Sequence, residues 1–228
     1  MSDGQPFTGS STAQTRALLD PDDAVLVLLD HQAGLFQTVK DISIVELRAN
    51  AAMLARLATL LNIPVITSAS VPDGPNGPLM PEIHAVAPHA VFVPRKGEIN
   101  AWDNDDFVKT VRATGRQTLI IAGVWTSVCV AFPALAAKAD GYSVYTVLDA
   151  SGDPSEFASR ITMARLAQAG VVPTSANAVM CEFQRHWNRP NNDAFAALYV
   201  QVAPNYGAVI ESFQRAQQAA HSSQLATA

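Results

Sequence analysis

The chain has 228 residues, of which 49% are hydrophobic and 15% are charged, and its formal net charge is −5. This length and apolar fraction suffice for a buried core, which excludes a wholly disordered chain. An average soluble domain is about 25% charged, so the low value predicts that another molecule covers part of the surface. The acidic balance and the lack of a long basic run argue against nucleic acid as a partner.

The two ends of the chain differ in composition from its middle. Residues 1–20 are rich in Ser, Thr, Gln and Gly and predict a flexible arm, and residues 221–228 predict a frayed tail. Residues 21–220 contain neither a linker nor a repeat and predict one domain. No segment has the roughly 18 to 20 apolar residues that span a bilayer, so we expect a cytoplasmic protein without membrane contact. Cys129 and Cys181 are expected to be free thiols.

Short apolar runs alternate with segments of helical period. AVLVLL at 24–29 is continuously apolar, which is typical of a strand buried on both faces of a parallel sheet. The other predicted strands are 64–68, 91–93, 118–122, 143–148 and 171–174. The predicted helices are 43–61, 105–114, 127–139 and 155–169. This order predicts a doubly wound α/β fold, a three-layer sandwich whose mostly parallel sheet carries helices on both faces.

Ligands of such sheets bind at the carboxyl ends of the strands, so the residues that follow the strands are candidates for chemistry. Asp30 follows the first strand, Lys96 follows the third, and Cys129 begins the helix after the fourth. Each of them also has a structural explanation when taken singly. Asp30 is then a turn residue, Lys96 a solvated loop residue and Cys129 a small buried core residue. Together they suffice for thiol-based acyl transfer, because the carboxylate takes the thiol proton and the ammonium balances the charges.

The sequence GVWTSVCVAFPAL predicts that Cys129 lies in the first turn of a helix. If Thr126 caps the helix, Cys129 lies at its third position, where free N–H groups and the helix dipole favour a thiolate. Cys129 is then expected to be alkylated far faster than Cys181 at neutral pH. Pro133 removes the helical partner of the Cys129 carbonyl, which is more common near functional turns than in plain helices. Cys181 has no comparable turn and is expected to be structural.

Five stretches of the chain resemble the isochorismatase-like cysteine hydrolases, most closely the YcaC-like branch. They are VLLDHQAGL at 27–35, DGPNGPL at 73–79, INAWDNDDFVKTVRATG at 99–115, LIIAGVWTSVCVAFPAL at 119–135 and DASG at 149–152. The resemblance implies a doubly wound α/β fold with a catalytic triad of Asp30, Lys96 and Cys129. It also implies a cis peptide bond between Val124 and Trp125. The backbone N–H groups of Trp125 and Cys129 would then form the oxyanion hole.

Two differences from other members of this family indicate which of its branches the chain resembles. Isochorismatase proper has no cysteine at the nucleophile position, so Cys129 favours the amidase-like members. The Asp-x-His-x-His cluster of nicotinamidases is missing from TSASVPDGPNGPL at 67–79. The five histidines are scattered, so we expect no zinc and no other cofactor; they are His31, His84, His89, His186 and His221. The candidate substrate-binding residues are Gln32, Phe36, Asn100, Trp102, Trp125 and Thr126, with core packing as the alternative for the aromatic ones.

The leading interpretation is a cofactor-independent cysteine hydrolase that cleaves a C–N bond of a small uncharged amide, imide or carbamoyl compound through a Cys thioester. The alternative is a non-catalytic oligomeric assembly or stress-related protein with a reactive thiol. A nucleotide-binding flavodoxin-like protein is disfavoured because no GxGxxG or GxxxxGK[ST] loop occurs. The YcaC-like members form large rings, so the resemblance and the low charge predict a homo-oligomer of four or more subunits, such as an octamer, held by apolar helices and residues 195–209.

Overall fold

The structure, a computed structural model, describes residues 18–226 of the chain. Within this range six strands form one sheet in the order β3-β2-β1-β4-β5-β6, and every pairing between them is parallel. The strands are β1 (Ala24–Leu29), β2 (Val65–Ser70), β3 (Val91–Arg95), β4 (Thr118–Gly123), β5 (Ser143–Val147) and β6 (Val172–Thr174). The predicted doubly wound α/β fold is confirmed.

Helices cover both faces of the sheet. They are α1 (Ala33–Phe36), α2 (Ile44–Leu60), α3 (Pro81–Val86), α4 (Asp105–Ala113), α5 (Ala131–Ala139), α6 (Glu156–Gln168), α7 (Ala176–Gln184), α8 (Asn192–Val202) and α9 (Pro204–Ala226). Helices α2, α3, α7 and α8 contribute to one apolar cluster, and α4, α5 and α6 to the other. Among the described helices none is long and apolar enough to cross a membrane.

Strand β1 lies at the centre of the sheet and supplies both apolar clusters. Successive side chains of a strand point to opposite faces, so Leu26 and Leu28 pack under one helical layer while Val25 and Val27 pack under the other. All six residues of β1 are buried. The continuous apolar run is therefore explained by a strand that has no solvent-exposed face.

The strand order reverses at β1, whose neighbours β2 and β4 connect in opposite directions. The crevice beyond the carboxyl ends of β1 and β4 is the usual ligand site of such sheets. The two strands approach closely there, since a Cβ atom on Gly123 would lie 2.3 Å from the Leu29 carbonyl oxygen. Asp30 follows β1 and Cys129 follows β4, so the fold brings these two predicted residues to the same crevice.

The ends of the chain differ from the prediction where they can be compared. The predicted arm, residues 1–20, lies mostly outside the described residues, but Leu19 is buried and its N–H donates to Glu182 at 2.8 Å. Helix α9 continues to Ala226, past residue 220, where the domain was expected to end.

Candidate active site

The carboxylate of Asp30 is completely buried at the carboxyl end of β1 and is paired with a cation. Both of its oxygens accept hydrogen bonds from the Arg95 guanidinium, which is also fully buried. The Ser70 backbone N–H donates to Oδ1 at 2.8 Å. Asp30 itself has a φ of 54°, an uncommon backbone conformation for a residue with a side chain. The carboxylate is thus fixed in direction by its backbone, its neighbour strand and its counterion.

The Arg95 side chain is anchored along its whole length. Its Nε donates to Ser68 Oγ at 3.0 Å, and its Nη1 donates to the carbonyls of Glu98 and Ile99 at 2.7 and 2.9 Å. Glu98 in turn orders the loop, because it accepts hydrogen bonds from its own N–H, from Asn104 and from the backbone after Arg95. These bonds lower the pKa of Glu98 to about 2. A buried guanidinium with every fork position used is a rigid partner for a carboxylate.

The predicted partner of Asp30 was Lys96, and the structure places Arg95 there instead. Lys96 is exposed. Among the hydrogen bonds of residues 18–226 it takes part only through its backbone N–H, which donates to the Glu98 carboxylate. The physical reason is the period of two in a strand, which puts Arg95 on the same face as the buried Val93 and turns its neighbour outward. The expected strand, 91–93, ended too early to show this alternation.

Cys129 lies in a π-helical turn between β4 and α5. The turn spans Thr126–Val130, and its wide hydrogen bond runs from the Val130 N–H to the Trp125 carbonyl at 3.1 Å. The peptide bond between Val124 and Trp125 is cis, as the family resemblance implied. We call residues 123–130 the Cys129 turn. The helical cap at Thr126 is absent, since Trp125 is the residue that precedes the helical turn.

The thiol of Cys129 meets Asp30 directly. Burial, the negative charge of Asp30 and a hydrogen bond to that carboxylate raise the pKa of Cys129, while the Trp125 backbone and the charge of Arg95 act against them. The expected stabilisation of a thiolate by the helix N-terminus is therefore outweighed. In the resting protein the sulfur is a neutral thiol that donates to Asp30, and the Trp125 N–H faces the same sulfur. Both Cys129 and Cys181 are free, as predicted.

His31 is next to Asp30 but serves the fold. It is completely buried, and its Nε2–H donates to the Ala150 carbonyl at 2.9 Å. Burial lowers its pKa to about 4, with smaller opposing effects from the hydrogen bond to Ala150 and from the charge of Asp30. The imidazole is accordingly neutral at physiological pH.

Three of the predicted substrate-binding side chains are engaged in the fold near the site. Gln32 is buried, and its amide donates to the carbonyls of Ser70 and Gly77. Phe36 is buried under the Arg48 guanidinium, which lies 5.1 Å from the ring centre. The indole N–H of Trp125 donates to Thr38 at 2.6 Å. The side-chain amide of Gln32 and the indole N–H of Trp125 are therefore already hydrogen-bonded within the protein.

The other three predicted residues lie in different surroundings. Trp102 packs against Phe107 and Tyr142, and its indole N–H donates at 3.0 Å to Asp140, which precedes β5 at the opposite end of the sheet from Asp30. Asn100 accepts the Trp102 N–H at 3.0 Å, and Thr126 is buried. Core packing, the alternative raised for the aromatic residues, describes Trp102.

Arg95 and Asp153 were not among the predicted site residues. Asp153, at the end of DASGD, is fully buried and accepts hydrogen bonds from the Ser127 N–H and Oγ–H at 3.2 and 2.6 Å. Alternation along β3 would have indicated Arg95, but no local pattern indicates a contact between residues that are 26 positions apart. Within residues 18–226, no group of three or more His, Cys, Asp or Glu side chains could hold a metal ion.

The assembled site consists of a neutral thiol, a carboxylate that can take its proton and a guanidinium that balances the negative charge. Such a set can form and break a covalent bond between sulfur and an acyl carbon without a cofactor. The Trp125 N–H, which faces the sulfur, is placed to donate to an oxygen that becomes negative beside it.

Comparison with known proteins identifies the family of the chain. The isochorismatase domain family matches residues 24–178. The chain is 45% identical over 195 residues to the probable hydrolase YcaC of Escherichia coli K12, covering 86% of this chain and 93% of that protein.

Solved structures of YcaC proteins share the fold. YcaC from Pseudomonas aeruginosa, solved with hexane-2,5-diol and covalent acrylamide, is 44% identical with a TM-score of 0.84, over 89% of this chain and all of that one (100%). The Escherichia coli YcaC structure, described as an octameric hydrolase of unknown specificity, has the same identity and TM-score, 44% and 0.84, over 89% of this chain and 99% of that one. The MAR1 ribonuclease of Caenorhabditis elegans, at 20% identity and a TM-score of 0.73, shares the fold alone.

Proposed function

The chain belongs to the isochorismatase family, and we propose that it is a cofactor-independent cysteine hydrolase that cleaves a C–N bond of a small amide, imide or carbamoyl compound. The observation that carries this proposal is that the Cys129 thiol lies beside the buried carboxylate of Asp30, which raises the pKa of that thiol and which Arg95 holds in place. The triad of this proposal is therefore Asp30, Arg95 and Cys129, with Arg95 taking the role that sequence analysis gave to Lys96.

The first half-reaction acylates the thiol. Asp30 takes the Cys129 proton as the sulfur attacks the substrate carbonyl, so a C–S bond forms and the carbonyl oxygen becomes negative. Because the resting thiol is neutral, proton transfer and attack are coupled, and free thiolate does not accumulate. The N–H groups of Trp125 and Cys129 stabilise the oxyanion. The C–N bond then breaks, and the proton on Asp30 goes to the leaving nitrogen.

The second half-reaction releases the acid. Asp30, again a carboxylate, takes a proton from water as the water oxygen attacks the thioester carbonyl. A C–O bond forms, the C–S bond breaks and the proton returns to sulfur, so the enzyme ends as it began. Arg95 stays charged throughout, which keeps the carboxylate an anion between the two steps.

An uncharged substrate fits the charges of the site. Asp30 and Arg95 neutralise each other, so neither is left to pair with an ionic substrate. A YcaC relative that holds acrylamide covalently is consistent with a reactive group that accepts a small, uncharged, amide-bearing molecule. These two observations favour small neutral acyl compounds as the substrate class.

The test is turnover of a panel of small amides, imides and N-carbamoyl compounds, followed by mass spectrometry of the products. We expect at least one hydrolysis product with the wild type and none with Cys129→Ala or Asp30→Asn. Circular dichroism of each variant establishes that its fold is intact. Full activity in folded Cys129→Ala would refute the proposal, and would favour the alternative of an assembly protein with an incidental thiol.

We further propose that the protein is a homo-oligomer of at least four subunits. Helix α9 packs on α8 and leaves Val209 and Phe213 60% and 61% exposed, and α6 leaves Phe157 74% exposed. Val209 and Phe213 are four residues apart and therefore share one face of α9, and an apolar helix face left exposed is suited to contact with another subunit. Phe195, which begins the segment expected to form subunit contacts, is buried within its own chain, so the contact surface lies further along the C-terminal helices. The octamer described for the Escherichia coli relative supports the same proposal.

Light scattering of the wild type and of two variants on α9 tests the assembly. We expect a mass at least about four times that of the 24.2 kDa chain, and a smaller species for Phe213→Asp. Gln214→Asp, which adds the same charge to the next residue of the helix, is the control and should keep the wild-type mass. A 24.2 kDa wild-type monomer at micromolar concentration would contradict the proposal.

A further inference from the structure

The segment after β5 runs beside the Cys129 turn and is hydrogen-bonded to it. The Gly123 N–H donates to Ser151 Oγ at 3.1 Å, and the Gly152 N–H donates to the Gly123 carbonyl at 3.3 Å. The Thr126 N–H donates to the Gly152 carbonyl at 2.9 Å. The turn that carries Cys129 is therefore held by a segment that is distant in sequence, in addition to its own helix.

Asp153 ends this segment and makes its shortest bond to the turn. Its Oδ1 accepts the Ser127 Oγ–H at 2.6 Å and the Ser127 N–H at 3.2 Å. Its own N–H donates to Asp41 Oδ1 at 2.7 Å, and its carbonyl accepts the Lys40 N–H at 2.9 Å. Hydrogen bonds thus fix the Asp153 backbone to the loop before α2, and the Asp153 carboxylate in turn fixes Ser127.

Burying this carboxylate is unfavourable for the fold. Asp153 has no exposed surface, and its Oδ2 has no hydrogen-bond partner among the described residues. Burial and the charge of Asp41 raise the pKa of Asp153 in spite of the two bonds from Ser127. A half-satisfied buried acid in a native protein calls for an explanation other than packing.

We propose that Asp153 is a positioning residue for the hydrolysis: by holding Ser127, it fixes the Cys129 turn so that the Trp125 and Cys129 N–H groups meet the oxyanion. Ser127 lies two residues from each of these donors. Without the Asp153 carboxylate the turn loses the two hydrogen bonds that Ser127 donates, and the donors drift from the position where negative charge develops. The inference rests on the proposed function, since it concerns the oxyanion of that reaction.

Two reagents separate positioning from mere access to the thiol. Acylation of Cys129 by 4-nitrophenyl acetate forms a C–S bond, passes through an oxyanion and expels 4-nitrophenolate, so it needs the donors of the turn. Alkylation of the same thiol by iodoacetamide displaces iodide and forms no oxyanion. A displaced turn slows the first reaction and leaves the second unchanged or faster, because loosening exposes the sulfur.

The experiment measures both rates on Cys129 by peptide mass spectrometry for the full-length chain. For Asp153→Ala we expect acylation about ten- to a hundredfold slower, since small displacements of catalytic groups have effects of this size, and alkylation no slower than in the wild type. Asp153→Asn keeps an acceptor oxygen for Ser127 and should restore acylation to within about threefold of the wild type. Ser127→Ala loses only the hydroxyl bond and should fall between the two.

Asp149→Asn is the matched control. Asp149 precedes Asp153 in the same segment and burial also raises its pKa, but its carboxylate accepts a backbone N–H from Ala176 at 2.7 Å, whereas that of Asp153 accepts from Ser127 of the Cys129 turn. We expect both rates to stay near wild type in this variant.

Three results would overturn the proposal. They are unchanged acylation in folded Asp153→Ala, a parallel loss of acylation and alkylation, and an equal loss of acylation in Asp149→Asn. If Asp153→Ala does not fold, Asp153→Asn and Ser127→Ala decide the matter by the same ratio of rates. Acetylation of Cys129 in the wild type is measured independently; its absence would contradict the proposed function itself, and the positioning role with it.

Discussion

The two cysteines of this chain lie in opposite surroundings. Cys129 is partly buried in a π-helical turn, where its thiol meets Asp30 and the Trp125 backbone. Cys181 is exposed on α7, and its sulfur lies 3.8 Å from the Tyr199 hydroxyl beside a cluster of aromatic rings. The more accessible sulfur lies beside a tyrosine hydroxyl, whereas the less accessible one lies beside a carboxylate and its guanidinium partner.

The difference shows that the surroundings of a thiol, and not its exposure, indicate a catalytic role. Around Cys129, Asp30 lies at the end of β1 and Arg95 at the end of β3, and the buried ion pair between them holds the base and the counterion in one arrangement. Around Cys181 lie packed aromatic rings, those of Trp187 after α7, of Phe195 and Tyr199 on α8 and of Tyr206 on α9.

The largest effect should follow removal of each sulfur in turn. We expect Cys129→Ser to lower kcat for any substrate found by at least about 10³-fold, because the nucleophile of the reaction is lost. Cys181→Ser, the matched control, should keep kcat within about twofold of the wild type. Steady-state kinetics on both proteins measures this. Comparable losses in the two variants would break the contrast between the sites.

The next effect concerns the cation beside Asp30. Arg95→Met leaves a buried carboxylate unpaired and should lower the free energy of unfolding by about 3–5 kcal/mol. Lys96→Met, at the neighbouring exposed position, should change it by no more than about 0.5 kcal/mol. Urea unfolding followed by circular dichroism gives both values. A larger loss of unfolding free energy in Lys96→Met than in Arg95→Met would indicate that Lys96, and not Arg95, balances the charge of Asp30.

A smaller effect should appear in the pH dependence of stability. The unfolded chain takes up a proton on His31 near pH 6.5, whereas burial lowers the pKa in the folded protein to about 4. As the pH falls from 6.5 to 4 the unfolded state therefore gains protons first, and His31 lowers the free energy of unfolding by about 3 kcal/mol. His31→Gln should lack this part of the pH slope. Identical slopes in the two proteins would contradict the assignment.

The smallest expected effect is a difference between the rates at which the two cysteines are alkylated. At pH 7 we expect iodoacetamide to modify Cys181 at least about tenfold faster than Cys129, because burial and Asp30 raise the pKa of Cys129. Asp30→Asn removes the anion and should speed the reaction of Cys129. Peptide mass spectrometry over a time course gives both rates. Faster labelling of Cys129 in the wild type would instead support a stabilised thiolate, which is what the helix position alone predicts.

The sequence predicted the strand ends well and the side-chain environment poorly, for physical reasons. The apolar run before Asp30 and the one before Cys129 each define a buried strand, and parallel strands end at one edge, so those two residues could be placed together. The choice between Lys96 and Arg95 depended on whether β3 continues two residues beyond the predicted 91–93, because alternation along the strand then buries Arg95 on the face of Val93.

Long-range contacts account for the rest. Trp102 was expected at the pocket because it follows β3, but its indole packs against Phe107 and Tyr142 in the core. The thiol pKa was expected to fall because helix position can be read from sequence, whereas burial and the approach of Asp30 cannot. The contact between Asp153 and Ser127 joins two loops and leaves no periodic signal.

The most direct test of the central claim is a search for acylated Cys129. The wild type is incubated with the panel of small amides, imides and N-carbamoyl compounds, quenched in acid during turnover and digested for mass spectrometry. The account predicts the mass of the acyl group on the Cys129 peptide of the wild type, an unmodified Cys181 peptide, and no adduct or product with Cys129→Ala. Undiminished turnover in folded Cys129→Ala, or an acyl group on Cys181 alone, would contradict it.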